Sequence, residues 1–297
     1  MSKFMLGLNS EELDKEEDKE IFEMFDGVGM IRGENLCVNK MQYFTIPSFQ
    51  RYVTNYLKDI ASKFEDKQVW YRTADLVPHQ INLLEGVDHV LPDGNCLLGL
   101  RGVRRDLEFV DTYKYQLKAF CDAAKDYENL GILIPFVSSV QEVEQLRNLL
   151  YIEFGYTGKL GVMIENPAIG MQIKELKGLG VSNFTLGMND FTCFSLAADR
   201  GIKQYSMQDE GVQRLVRDII ERIHNEGLPV SMAGYLNRNV VKTYEESHSE
   251  LNPDYYVVHY DAIPDVFDNL PEGKDYKKHY KDIKARYNQV KEQYRER

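Results

Sequence analysis

Gly187-Met188-Asn189-Asp190-Phe191-Thr192 follows the strand-like run Asn183 to Leu186 and leads on to Asp199-Arg200. An amide and a carboxylate therefore leave a strand together at its C-terminal end, which is where an α/β barrel keeps its chemistry. Earlier in the chain, Gly161-Val162-Met163-Ile164-Glu165-Asn166-Pro167-Ala168 repeats the pattern: an apolar strand, Glu165 at its tip, then a proline that ends the ladder. Two acids at the tips of neighbouring strands suit a hard divalent cation, which takes oxygen ligands.

Working outward from this pair, strand-like runs recur at Phe4 to Leu8, Val28 to Ile31, Val69 to Arg72, Leu97 to Leu100, Gly131 to Phe136, Val230 to Ala233 and Tyr255 to His259. With the two already quoted, that is one more than eight places need. Amphipathic helical patterns lie between several of them. Val140 to Phe154 opens on the cap Ser138-Ser139 with Glu142 and Glu144 in its first turns. Gln213 to Asn225 continues an apolar stripe of Val212, Leu215, Val216, Ile219, Ile220 and Ile223 and stops at Gly227. Strand and helix alternating through short loops predict a parallel sheet with helices outside it, a (β/α)8 TIM barrel. A length of 297 residues fits one such barrel over residues 1–270, followed by a charged helical tail over 271–297 that packs on the barrel or on another subunit. The acidic run Glu11 to Glu20 reads as a solvated helix.

An apolar fraction of 43% supports a sizeable core, and a formal net charge of −11 without any basic stretch argues against nucleic acid as a partner. The apolar runs are too short to cross a bilayer, and Met1-Ser2-Lys3-Phe4 leads into acidic sequence rather than a signal peptide, so a soluble cytoplasmic protein is expected. Cys37, Cys96, Cys121 and Cys193 lack CxxC spacing and read as reduced, mostly buried thiols. The six histidines form no HExxH motif or close pair, which favours a carboxylate-held cation over a histidine-rich zinc site. His79 and His259 fall near expected strand ends.

Arg32, Arg72 and Arg101 stand at or just beyond strand-like runs, and Arg200 follows the Asn189-Asp190 motif. A guanidinium is a rigid fork that matches carboxylate and phosphate oxygens. Several of them converging beside two metal carboxylates would cage a small, multiply charged anion.

These residues amount to a resemblance. Asp26-Gly27-Val28-Gly29-Met30-Ile31-Arg32-Gly33-Glu34, Tyr71-Arg72-Thr73-Ala74-Asp75, Leu98-Gly99-Leu100-Arg101-Gly102, Ile134-Pro135-Phe136, Met163-Ile164-Glu165-Asn166-Pro167 and Leu186-Gly187-Met188-Asn189-Asp190-Phe191-Thr192 occur in one order. That order resembles the C-terminal barrel of the phosphoenolpyruvate-utilising enzymes, over residues 4–262. The resemblance implies phosphoenolpyruvate or pyruvate as substrate and phosphoryl transfer through an enolate, in a transferase that relies on Mg2+, with Mn2+ as the alternative. It implies Glu165 and Asp190 as metal ligands, with Arg32, Arg72 and Arg101 around the phosphoryl group and enolate oxygen. Asn189 then lies beside the phosphate, and Met188 and Arg200 complete the substrate-binding set. Asp75 and Arg104 follow matched strand ends and would support the site from outside. A separate phosphocarrier or kinase protein and a homodimer through the barrel are the partners that the resemblance suggests.

Two departures qualify the implied activity. In the family a Cys-Gly pair follows the strand matched by Val230 to Ala233, and its thiol protonates the enolate carbon; here Ala233-Gly234-Tyr235 stands there, and alanine carries no proton. Tyr235 is a candidate replacement, and Cys193 a more remote one. The stretch also carries neither the ATP-grasp or carrier-binding domain nor the phosphohistidine domain of full members. A metal-dependent aldolase or lyase working through a pyruvate enolate is the alternative reading, and a non-catalytic phosphoenolpyruvate-binding subunit is a third.

Overall fold

Eight parallel strands close on one another, each bonded to the next in sequence, with the last bonded back to the first. They are β1 (Lys3–Leu8), β2 (Gly27–Arg32), β3 (Gln68–Arg72), β4 (Leu130–Ile134), β5 (Leu160–Ile164), β6 (Val181–Gly187), β7 (Val230–Ala233) and β8 (Tyr255–His259). A computed structural model of the chain describes residues 3–9, 19–88, 95, 98–199, 202, 206–247, 251–270 and 273–295. The architecture is the expected (β/α)8 barrel. β4 and β5 are buried at every position, as strands covered on both faces should be.

Of the strand-like runs, Leu97 to Leu100 forms no strand. Leu97 lies outside the described residues, and Leu98 and Gly99 donate their N–H groups back to the Asn95 carbonyl at 3.1 and 2.9 Å, making a turn. β3 already bonds to β4 along its length, so a closed barrel has no edge left for a ninth strand. The Gly131 to Phe136 run also ends early, because Phe136 takes a left-handed conformation at φ 59° just past β4.

The capping signals work as read. Ser139 accepts from the Glu142 N–H at 3.3 Å, while Glu142 accepts from the Ser138 and Ser139 N–H groups at 2.7 and 3.0 Å. The α-helix Val140–Arg147 then loosens into a π-helical stretch, Asn148–Glu153. In helix Glu210–Asn225, Val212, Val216, Ile219, Ile220 and Ile223 are buried against the barrel and Leu215 only partly so. Residues 11–18 of the acidic run lie outside the described residues; helix Lys19–Met24 begins at its end.

Two apolar layers hold the fold together. The larger fills the space between strands and helices. A smaller one, Met5, Met30, Trp70, Leu133, Met163, Ala233 and Val257, fills the barrel's interior, one residue from each strand except β6. After β8, Tyr276 packs its ring 5.4 Å from that of Tyr260. Helix Lys278–Arg295 then lies against helices Gly33–Lys40 and Pro78–Ile81, which follow β2 and β3, so the tail covers part of the strands' C-terminal face. Cys37, Cys121 and Cys193 are buried and form no disulfide, and Cys96 lies outside the described residues. Among the described residues, no helix is long and apolar enough to cross a membrane.

Candidate active site

Side chains alternate along a strand, so the residue two beyond an inward-facing one also faces inward, one layer nearer the strand's C-terminal end. Met30, Trp70 and Met163 belong to the interior layer; two residues on stand Arg32, Arg72 and Glu165. The same step leads from Ala233 to Tyr235 and from Val257 to His259. All five line one cup of about 520 Å³ that rests on Met30, Met163 and Ala233.

The remaining groups arrive on the segments that follow the strands. Asp190 sits in the first turn of helix Met188–Leu196, and Glu34 in the first turn of helix Gly33–Lys40. Arg101 precedes helix Gly102–Glu108 and lays its guanidinium over the Phe136 ring, 4.4 Å from the centroid. The left-handed turn at Phe136 also aims its N–H at Glu165, whose Oε2 accepts at 2.7 Å.

Asp75, Glu165 and Asp190 are buried, and each offers an oxygen within 4.8 Å of the others. Burial first, then the charges of Asp190 and Asp75, raise the Glu165 carboxyl to about pKa 7, with Arg72 and Arg101 pulling the other way. Arg101 bridges the trio: its Nε donates to Asp75 at 2.9 Å and its Nη2 to Asp190 at 3.2 Å. Burial opposes its charge, but Asp75, Asp190 and Glu165 outweigh that and hold Arg101 above the ordinary arginine value. Arg72 is paired with Glu34, and Arg32 donates its Nε to the same Glu34 oxygen at 2.9 Å. Asn9 accepts from Asn35 at 3.0 Å and from Arg32 at 3.5 Å, tying the tip of β1 into the ring.

The donor set fits a hard divalent cation: three buried carboxylates crowded together, one of them reluctant to ionise alone. Gly187 makes the room. A Cβ there would fall 2.5 Å from Glu165 Cγ and 2.8 Å from its Oε1, so the carboxylate occupies the space that a side chain on β6 would take.

The structure thus brings Arg32, Arg72, Arg101, Glu165, Asn189, Asp190 and Tyr235 to one cup. Met188 is not among its lining. It is fully buried and lines a neighbouring cavity of about 380 Å³, which Cys193 also borders. Arg200 lies outside the described residues. Arg104 stays outside the cup, donating to the Leu98 and Gly99 carbonyls at 3.3 and 3.2 Å and to Ser138 at 2.8 Å, which pins the loop that delivers Arg101. Tyr235 stands at the rim, 71% exposed, its N–H 3.5 Å from Asn189 Oδ1. Sequence reasoning gave Asp75 a supporting position and gave no role to Glu34, Asn9 or His259; the Asp75 carboxylate lies beside those of Glu165 and Asp190. The two-residue step beyond Val257 was the signal that could have found His259.

Fold and site define a (β/α)8 barrel whose mouth holds a carboxylate trio ringed by arginines, suited to small, multiply charged anions. A family model described as PEP-utilising enzyme, PEP-binding domain, matches residues 2–243, and the chain belongs to that family. Relatives include a probable phosphoenolpyruvate synthase of Archaeoglobus fulgidus, 27% identical over 70% of this chain and 30% of the relative. A phosphoenolpyruvate-protein phosphotransferase of Priestia megaterium is 30% identical over 70% of this chain and 37% of the relative. The chain therefore spans about a third of the length of these relatives. Among solved structures, a HpcH/Hpal aldolase/citrate lyase family protein from Burkholderia cenocepacia J2315 superposes with TM-score 0.50 at 11% identity, covering 86% of this chain and 87% of that one. At that identity the likeness is one of fold alone.

Proposed function

We propose that the cup binds phosphoenolpyruvate or pyruvate and acts through the enolate, transferring the phosphoryl group between phosphoenolpyruvate and an acceptor. The observation that carries this reading is the buried Asp75, Glu165 and Asp190 trio set against Arg32, Arg72 and Arg101 in one cup of a PEP-binding family barrel. In this reading the three guanidinium groups surround the phosphoryl group and enolate oxygen, and Asn189 lies beside the phosphate. Tyr235 closes over the ligand from the rim.

Glu165 and Asp190, joined by Asp75, would hold Mg2+ or Mn2+, which when bound supplies Lewis-acid charge for an enolate and a phosphoryl group. Charge counting supports a need for it. The three arginines share the cup with the carboxylates of Glu34, Asp75, Glu165 and Asp190. A phosphoenolpyruvate trianion would meet no positive excess from these seven side chains. Arg72 and Arg101, already oriented by Glu34 and Asp75, meet the ligand without further ordering, which favours the transition state over free substrate.

Calorimetry with phosphoenolpyruvate, with and without Mg2+, tests the first half of the proposal; no binding at millimolar ligand with metal present would refute it. Phosphorus NMR of the same mixture, with nucleotides and a histidine phosphocarrier protein offered in turn, tests the second. Binding without any phosphoryl movement would leave pyruvate-enolate carbon chemistry as the better reading. Ala233 at the floor of the cup specifically favours that alternative, since an enolate that is not protonated by a thiol there remains available to attack a carbonyl.

A further inference from the structure

Of the titratable side chains lining the cup, the proposed function leaves His79, Asp199, His259 and Lys284 idle, and His259 is the one seated on a barrel strand. His259 ends β8, facing the cup two residues beyond Val257 of the interior layer. Val257 is the register partner of Ala233 on β7. Strand spacing and rise therefore put the Ala233 and His259 backbones about 8 Å apart on the same face of the barrel. The ring has a dedicated seat. Gly7 is its register partner on β1, and a Cβ at Gly7 would stand 2.6 Å from His259 Nδ1 and 3.0 Å from Cε1. Any other residue at position 7 would expel the ring from this pose. Nδ1 is buried over Gly7 with no hydrogen-bond partner, an expense that folded proteins seldom carry without use.

Resting on the enolate reading above, we propose that His259 is the catalytic residue that moves the proton at the substrate's methyl or methylene carbon, the task a thiol at the position of Ala233 would otherwise perform. Toward enolate, the neutral imidazole takes a proton from the methyl group of pyruvate: a C–H bond breaks, an N–H bond forms, and the C–H electron pair becomes the C=C bond as the carbonyl becomes an enolate. Toward pyruvate, the imidazolium N–H breaks and its proton forms the new C–H bond as the carbonyl is restored. Burial, then Arg32 and Arg72, lower the ring's pKa to about 3, so the imidazole is neutral at pH 7, the form that the first direction needs, and becomes an effective base only as negative charge develops beside it. An enolate formed beside it then supplies the counter-charge for the imidazolium. Tyr235, the alternative donor, stands at the exposed rim of the cup.

The test is exchange of pyruvate methyl hydrogens in D2O, followed by proton NMR with Mg2+ present and without any phosphoryl acceptor. Wild type should exchange, and His259→Gln should slow exchange by on the order of 100-fold or more while binding pyruvate and melting as wild type does. His259→Asn serves if the glutamine variant misfolds. The double variant His259→Gln, Ala233→Cys should recover exchange, because a thiol then stands on the adjoining strand. Exchange at the wild-type rate in the folded His259 variants, or its loss in Tyr235→Phe instead, would overturn the assignment, as would a wild type that binds pyruvate and exchanges nothing. Failure to bind pyruvate or phosphoenolpyruvate at all would instead overturn the proposed function, and this assignment with it.

Discussion

Replacing Gly187 by alanine should uncouple the carboxylate trio without removing a ligand. Gly187 has φ −87° and ψ 78°, so an L residue enters no left-handed strain, and the added methyl acts by bulk alone. That methyl would meet Glu165 Cγ at 2.5 Å, Cδ at 3.0 Å and Oε1 at 2.8 Å, whereas ordinary contact begins near 3.4 Å. The carboxylate must retreat by roughly 1 Å, and the backbone behind it has little freedom, because Phe136 N–H holds its other oxygen at 2.7 Å and β5 is buried throughout. A displacement of ~1 Å at a preorganised site costs on the order of 100-fold, or about 2.7 kcal/mol at 1.36 kcal/mol per decade. Mn2+ binding followed by electron paramagnetic resonance reads the effect directly, and calorimetry of phosphoenolpyruvate with Mg2+ reads it at the ligand. The melting temperature should fall by only a few degrees, since the clash is with a side chain at the edge of a cavity. A Gly187→Ala protein that binds Mn2+ and phosphoenolpyruvate as wild type does would refute the placement of Glu165 in the metal site.

Arg101→Met would leave Asp75 and Asp190 buried beside Glu165 without their bridging cation, destabilising the fold by about 3 kcal/mol or more, and Mg2+ should restore part of the loss; a melting curve unchanged in the absence of metal would count against this. His259 makes stability depend on pH with a definite sign. Its folded pKa of about 3 lies below the ordinary 6.5, so its contribution is whole above pH 6.5 and is lost as pH falls toward 3. Urea titrations of wild type and His259→Gln should therefore diverge in the variant's favour by about 1.4 kcal/mol per pH unit below 6.5, and a constant gap from pH 7 to 4.5 would contradict the lowered pKa. Glu165 works in the opposite sense: its pKa is raised to about 7, so stability is lost as pH rises from the ordinary carboxyl value through 7. Glu165→Gln should gain on wild type over that range when chelator is present, and no relative gain would show that the carboxyl ionises as an exposed one does. Ala233→Cys should raise pyruvate formation from phosphoenolpyruvate if a proton donor is what limits the reaction, as measured by a coupled pyruvate assay.

The barrel was legible because two separate periods of the sequence agree with it. Short apolar runs bounded by glycine, proline and acids gave eight strands, and only Leu97 to Leu100 misled, since composition alone cannot tell a turn closed on Asn95 from a strand with no neighbour to pair with. Arg32, Arg72 and Glu165 were legible for the same reason: a charged residue two steps beyond a buried one, at a strand's C-terminal end, faces inward at the mouth. Asp75's nearness to Glu165 and Asp190 was not legible because its place is set by the chain's course after β3 and by Arg101, which comes from a loop whose conformation depends on Phe136 turning left-handed and on Arg104 bonding Leu98, Gly99 and Ser138. Those are contacts between segments distant in sequence, which no local pattern encodes. His259 carries the same two-step signal beyond Val257, but its seat depends on Gly7, which lies at the other end of the chain and becomes its neighbour only when β1 and β8 close the barrel. A site assembled by closure can therefore be read from sequence only where each residue's own strand carries the signal. It is at the seam, where β1 meets β8, that the chain keeps the imidazole proposed to answer for the thiol missing from β7.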